Sequence, residues 1–162
     1  MTNKKIPTEK PIAWIALLPQ LLLISAIFAA FYFLNIKEPL FLTASIYLIL
    51  SYSLKAVFLK DHNKGIKLTK EGKNKEAIAS FEKSAKFFAD HLWIDQYRFI
   101  TLLSAAKHHY REMAFVNIGY CYMELNDPEK AKKYYERTVR EYPDNEMAKL
   151  GLSTIESKEN KI

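Results

Sequence analysis

From Pro11 to Leu34 the chain runs 24 residues without one charged side chain (PIAWIALLPQLLLISAIFAAFYFL). As a helix rising 1.5 Å per residue, such a run reaches roughly 36 Å, against the about 30 Å of a bilayer's hydrocarbon core. A helix apolar on every side needs either a large protein around it or lipid, and 162 residues cannot supply the first. A cleaved secretory signal fits less well, because its apolar core spans about 7–15 residues and here a second apolar run follows. Trp14 near one end and Phe31, Tyr32 and Phe33 at the other stand where aromatic rings meet the membrane–water boundary. Pro19 is expected to kink this helix, a defect that membrane helices tolerate.

The second run, Pro39 to Leu59, is uncharged as far as Leu54, and Lys55 must snorkel to the boundary. It carries Thr43, Ser45, Tyr47, Ser51, Tyr52 and Ser53, small and hydroxylated side chains of the kind through which membrane helices pack. A partner helix is therefore expected along it. Only Asn35-Ile36-Lys37-Glu38 lies between the runs, a hairpin connection. Lys4, Lys5 and Lys10 precede the first run, and Lys55, Lys60, Lys64, Lys67 and Lys70 follow the second, whereas the hairpin holds only Lys37. The positive-inside rule then places both termini in the cytoplasm and the hairpin outside, as in a bacterial inner-membrane protein. The expected organisation is a basic N-terminus (1–10), a span (11–34), a loop (35–38), a second span (39–59), a cytoplasmic helical domain (60–157) and a flexible tail (158–162).

The net charge of +6 sits unevenly. Residues 55–86 hold nine Lys against four acids, whereas residues 87–162 hold eleven Lys plus Arg against twelve acids. The basic excess flanks the apolar runs and spares the distal domain, which argues against nucleic acid as a partner. A single cysteine, Cys121, excludes an intrachain disulfide framework.

Beyond Lys60 apolar residues recur at helical spacing, and no stretch alternates as a strand would. Two segments resemble each other, HNKGIKLTKEGKNKEAIASFEKSAKFF and AFVNIGYCYMELNDPEKAKKYYERTVREYP. The second places Phe115, the Ile118-Gly119 pair and Tyr122 on a first helix, then Ala131 and Tyr135 on a second, closed by Pro143. Asp127 as N-cap before Pro128 is a strong helix start. The first segment repeats the pattern with Gly65, Leu68, Gly72, Ala77 and Phe81, and with Asn74 as a weaker cap. It has Asp61 where a large apolar residue is expected, and no closing proline.

These motifs resemble the tetratricopeptide repeat, a helix–turn–helix unit of about 34 residues. The two copies fall at about 58–91 and 112–145. Ala77 and Ala131 lie 54 residues apart, about 20 more than one repeat. Trp93, Tyr97, Ile100, Ser104, Tyr110, Ala114 and Ile118 suggest that the surplus, between 89 and 111, forms an added helix or extends the next one. Asp144-Asn145 can cap a last helix from Glu146 to about Glu156, like the helix that closes such arrays. The fold class is thus all-α: a two-span transmembrane hairpin, then a repeat-like helical solenoid with an inserted helix and a C-terminal capping helix. The aromatic group Phe87, Phe88, Trp93, Tyr97 and Phe99 is expected in the core, with a partner surface or bilayer contact as the alternative.

The resemblance implies a concave groove, lined by the first helix of each repeat, that holds a peptide or helix of a protein partner. Carried over by position, the groove presents His62, Asn63, Ile66, Thr69 and Lys70, then Met113, Val116, Asn117, Tyr120, Met123 and Glu124. The asparagines can hydrogen-bond an extended backbone, and Ile66, Val116 and Met123 offer apolar contact. Enzymatic chemistry finds no footing. The four glycines are scattered, so no phosphate-cradling loop forms. His91 and Asp95 stand one helical turn apart without a third ligand, and the adjacent His108 and His109 diverge on a helix. Cys121 is expected to pack in the core. No catalytic residue, metal, cofactor or small-molecule substrate is expected. The expected function is a membrane-tethered adaptor or assembly factor, with the bilayer and membrane-associated proteins as partners. The alternatives are a constitutive subunit of a larger membrane complex and, third, a small membrane enzyme.

Overall fold

The computed structural model describes residues 14–159. A 3-10 turn (Trp14–Ala16) leads into α1 (Leu17–Phe33), α2 (Pro39–Phe58), α3 (Lys60–Lys70), α4 (Asn74–Asp90), α5 (Leu92–Gln96), α6 (Arg98–Thr101), α7 (Tyr110–Glu124), α8 (Pro128–Glu141) and α9 (Glu146–Glu159). No β-strand forms among the described residues. The helices divide into two compact units, which among the described residues are 14–60 with 92–107, and 61–91 with 108–159.

In the first unit α1 and α2 pack against each other. The side of α2 that turns inward is the hydroxylated one: Thr43 and Ser51 are buried, and Tyr47 between them donates from its hydroxyl to Gln20 Oε1 of α1 at 3.0 Å. Thr43 Oγ1 donates to the Pro39 carbonyl at 2.7 Å, so its hydroxyl carries no orphaned polarity into the contact. Lys55 Nζ donates to Ser51 Oγ at 2.9 Å. The reversal between the helices uses left-handed backbone at Asn35 (φ 51°) and Glu38 (φ 57°). Pro19 falls in the first turn of α1, where backbone N–H groups have no helical acceptor anyway, so its missing N–H removes no helical hydrogen bond. Pro11, Ile12 and Ala13 of the first apolar run lie outside the described residues. Among the described residues one helix, Pro39–Phe58, is long and apolar enough to cross a membrane, and Leu17–Phe33 is apolar but shorter, at 17 residues.

The stretch between α4 and α7 is neither one inserted helix nor an extension of α7. The helical spacing of Trp93, Tyr97, Ile100 and Ser104 is interrupted twice, at Tyr97, which caps α6, and at Leu103, whose φ of 46° no helix accommodates. Arg98 holds the chain beyond that break, donating from Nε to the Ala106 carbonyl at 2.8 Å and from Nη2 to the Lys107 carbonyl. Of the aromatic group expected in the core, Phe88 is fully buried and Phe87 and Phe99 partly so, but Trp93 and Tyr97 are exposed.

In the second unit the pairs α3–α4 and α7–α8 repeat one piece of packing. A Cβ on Gly65 would lie 2.7 Å from the Phe81 ring, and one on Gly119 2.7 Å from the Tyr135 ring. Ala77 and Ala131, at matching positions, are both fully buried. Each first helix ends in a left-handed residue, Gly72 (φ 75°) and Asn126 (φ 56°), which turns the chain into its second helix. The copies differ at the next start. Asp127 caps α8 by accepting from the Lys130 N–H at 3.1 Å, whereas Lys73 holds the corresponding place before α4. Asn74 is already helical and makes no capping bond, which corrects its expected role. Asn145 Oδ1 caps α9 through the Ala148 N–H at 2.7 Å, and the helix continues past Glu156 to Glu159. The expected tail therefore begins inside a helix, and its last three residues lie outside the described ones.

Candidate protein-binding site

Helix α7 is packed on three sides, by α4, α8 and α9. Ala114, Phe115, Ile118 and Cys121 join Ala77, Ile78, Phe81 and Ala85 in one apolar cluster, and Val116 joins Ala131, Tyr135, Ala148 and Ile155 in another. Arg111, Tyr122 and Met123 are half-buried, and so is a stripe at i, i+4, i+7 and i+11: Met113, Asn117, Tyr120 and Glu124. Tyr120 leans on the α4–α7 cluster, as does Ile66 from α3. Thr69 Oγ1 lies 3.5 Å from Cys121 Sγ, which sets α3 alongside α7. Asn63 and Lys70 are exposed on α3.

Three expected groove residues are not available to a ligand. His62 is 3% exposed, its ring edge-on to Phe81 and Tyr110 at centroid distances of 5.6 and 5.4 Å. Its Nδ1 lies 3.4 Å from Ser84 Oγ. An imidazole fills this space because Asp61, at the position matching Phe115, cannot. Thr69 is buried, donating back to the Gly65 carbonyl at 2.9 Å. Val116 is buried under α9, and Met123 packs partly into the same cluster. Cys121 is buried as expected, and burial pushes its thiol above the usual range despite the Thr69 hydroxyl.

The sequence gives little sign of Glu112, which organises the start of α7. Its carboxylate is 4% exposed and accepts from Asn145 Nδ2 at 2.6 Å, His108 Nδ1 at 2.7 Å and the His109 N–H at 3.0 Å. His109 is the N-cap and Glu112 the third helical residue, so a capping-box spacing was present in the sequence with an unusual residue at its head. His108 and His109 thus precede α7 rather than lie on it. His91 ends α4, with its ring stacked on Phe87 at 4.6 Å, while Asp95 belongs to α5, so the two do not share a helical turn. Among the described residues no three His, Cys, Asp or Glu side chains come together as metal ligands.

A cavity of about 200 Å³ opens between α4, α7 and α8, beside Phe115 and Tyr134. Arg111 and Arg137 border it, standing 5.1 and 4.2 Å from the Phe115 ring centroid and each 2.8 Å from a Glu141 oxygen. The two guanidinium groups share the single Glu141 carboxylate, and Glu82 and Lys86 also line the cavity, so its wall carries charges of both signs. Tyr134 Oη donates to Glu82 Oε1 at 3.1 Å, and burial with the Glu82 charge pushes its hydroxyl up to about 12.

No curated protein and no solved structure matches the chain significantly. Residues 113–145 match the tetratricopeptide repeat family, over the segment that folds as α7, its left-handed turn and α8, so the chain contains a tetratricopeptide repeat.

Proposed function

We propose that this chain is a membrane-tethered adaptor, in which the α1–α2 hairpin holds a small repeat domain at the cytoplasmic surface to dock a segment of a protein partner. Tetratricopeptide repeats are protein-interaction modules that stack into concave binding surfaces. The α3–α4 pair serves as a second, degenerate repeat, an assignment favoured by its matching glycine–aromatic contact. The observation that carries the docking reading is that Met113, Asn117, Tyr120 and Glu124, all half-buried, share one face of α7, a helix packed by α4, α8 and α9. It offers an amide for backbone hydrogen bonding, a rigid amphipathic ring and an adaptable thioether, with Asn63, Ile66 and Lys70 extending it on α3.

Tethering as two spans draws on the length and apolarity of α2, about 30 Å long, and on α1 with its preceding turn, which together come to about the same. The exposed apolar faces agree: Leu18, Leu21, Leu22, Leu40, Leu48, Ile49 and Val57 all stand more than half exposed. Lysines at the open end of the hairpin favour a cytoplasmic repeat domain. Confinement to the surface raises the effective concentration of the groove towards other membrane proteins.

The test is replacement of Asn117 and Tyr120 together by Ala in the full chain, followed by crosslinking and partner capture from intact membranes. A loss of about 2 kcal/mol lowers affinity about thirtyfold. Undiminished capture by a variant with unchanged helix content would mean that the stripe is not the docking surface.

A further inference from the structure

Helices α5 and α6 are built inside out. Their charged residues, Asp95 and Arg98, are 3% and 5% exposed, while Leu92, Trp93, Tyr97 and Ile100 are 58%, 59%, 55% and 62% exposed. Water favours the opposite arrangement, since apolar surface is costly there and a buried charge loses its hydration. Gln96 is exposed, whereas Arg98 and Thr101 turn their polar groups onto the segment's own carbonyls. Arg98 donates to the carbonyls of Asp95, at 3.1 Å, Ala106 and Lys107, and Thr101 Oγ1 donates to the Ile94 carbonyl at 2.7 Å with the Tyr97 carbonyl at 3.0 Å. Internal satisfaction of this kind is what a segment facing lipid requires.

The same compact unit holds the apolar hairpin, and α6 packs against α1. The buried residues of α1 and its preceding turn, Ala16 and Gln20, lie at its first turns, the open end of the hairpin, and Leu59 is buried at the end of α2; the other buried residues of α2, Thr43 and Ser51, lie further along the hairpin. An apolar ledge at the open end continues the lipid-facing surface of the two helices at the level where they leave the membrane. Trp and Tyr, with an apolar body and a polar edge, are the side chains that settle at this boundary.

We infer that α5–α6 is an interfacial ledge that lies in the cytoplasmic leaflet, with Leu92, Trp93, Tyr97 and Ile100 inserted at the boundary between headgroups and acyl chains. Interfacial helices sink about 5–10 Å into this zone. The link that joins α4 to α7 is thereby a third membrane contact. The inference rests on the membrane-tethered reading of the hairpin.

The full chain carrying Trp14→Phe keeps Trp93 as its one tryptophan and is reconstituted into phosphatidylcholine–phosphatidylglycerol vesicles. Lipids brominated just below the headgroup should extinguish most of the Trp93 emission, lipids brominated near the acyl-chain ends should remove less, and acrylamide in the water should quench weakly. Emission that survives both lipids overturns the ledge: with strong acrylamide quenching the patch faces water, and with weak quenching a protein covers it. Alkaline carbonate extraction separates the two readings. A chain released from the vesicles defeats the tether and the ledge together, whereas a retained chain with unquenched Trp93 defeats the ledge alone.

Discussion

Tyr135 is the key of the repeat unit, because its ring is held between glycines of two other helices. A Cβ built on Gly119 of α7 would meet Tyr135 Cε1, Cζ and Cδ1 at 2.7, 2.9 and 3.0 Å, and one on Gly151 of α9 would meet Cε2 and Cζ at 2.6 Å. Gly119→Leu therefore drives a branched side chain into a ring that cannot slide away, since its far edge already touches α9. Overpacking of this kind costs about 1–3 kcal/mol, and the rigid backing puts this case near the upper figure. Relief of the helix-interior glycine returns about 0.8 kcal/mol, leaving a net loss of about 2 kcal/mol. For a unit of this size that is a shift of about 8–16 °C in Tm. Denaturant unfolding of the full chain in mild detergent, followed by far-ultraviolet circular dichroism, reads the change as a lower midpoint at constant slope. Tyr135→Ala is destabilising by itself, but in its presence Gly119→Leu should cost far less, so the two changes are strongly non-additive. A midpoint unmoved by Gly119→Leu, or full additivity with Tyr135→Ala, would refute the keyed packing.

Replacing Glu112 by Ala removes the acceptor of the buried Asn145 amide and frees the junction between α7 and α9, with an expected loss of about 1–3 kcal/mol in the same unfolding assay. Tyr134 holds its proton to about 12 when folded against 10.0 when unfolded, so its contribution is complete below pH 10 and is lost as the pH rises towards 12. Tyr134→Phe should make the alkaline fall in stability shallower, with remaining slope coming from Tyr135 and Cys121, whose hydroxyl and thiol burial shifts in the same direction. A reporter active only across the membrane should stay silent when fused after Ile162 and work when inserted at Lys37; the reverse pattern would place the repeat domain outside.

Much of the local architecture was legible in the residues. The turn chemistry of Asp127-Pro128 and the two apolar runs depend on neighbours a few positions away, and the pairs Gly65–Phe81 and Gly119–Tyr135 each fall within one repeat-length segment, so the residues already indicated where the helical pairs α3–α4 and α7–α8 lie. Which flank of each helix ends up covered is a different question, because helical periodicity orients side chains about the helix's own axis and does not say how many neighbours will surround it. With α4, α8 and α9 all against α7, Val116 and part of Met123 were drawn into a core, and His62 and Thr69 were drawn in beneath Phe81, Tyr110 and Cys121. The open stripe narrowed to Met113, Asn117, Tyr120 and Glu124. Between α4 and α7 tertiary structure decided nearly everything. There the spacing of aromatic residues reads as one helix, yet it is interrupted at Tyr97 and again at the left-handed Leu103, with Arg98 gathering the carbonyls beyond, and Trp93 and Tyr97 are left exposed. An arginine's long-range hydrogen bonds leave no periodic trace in a sequence, and that is the physical reason this segment could be read only once folded.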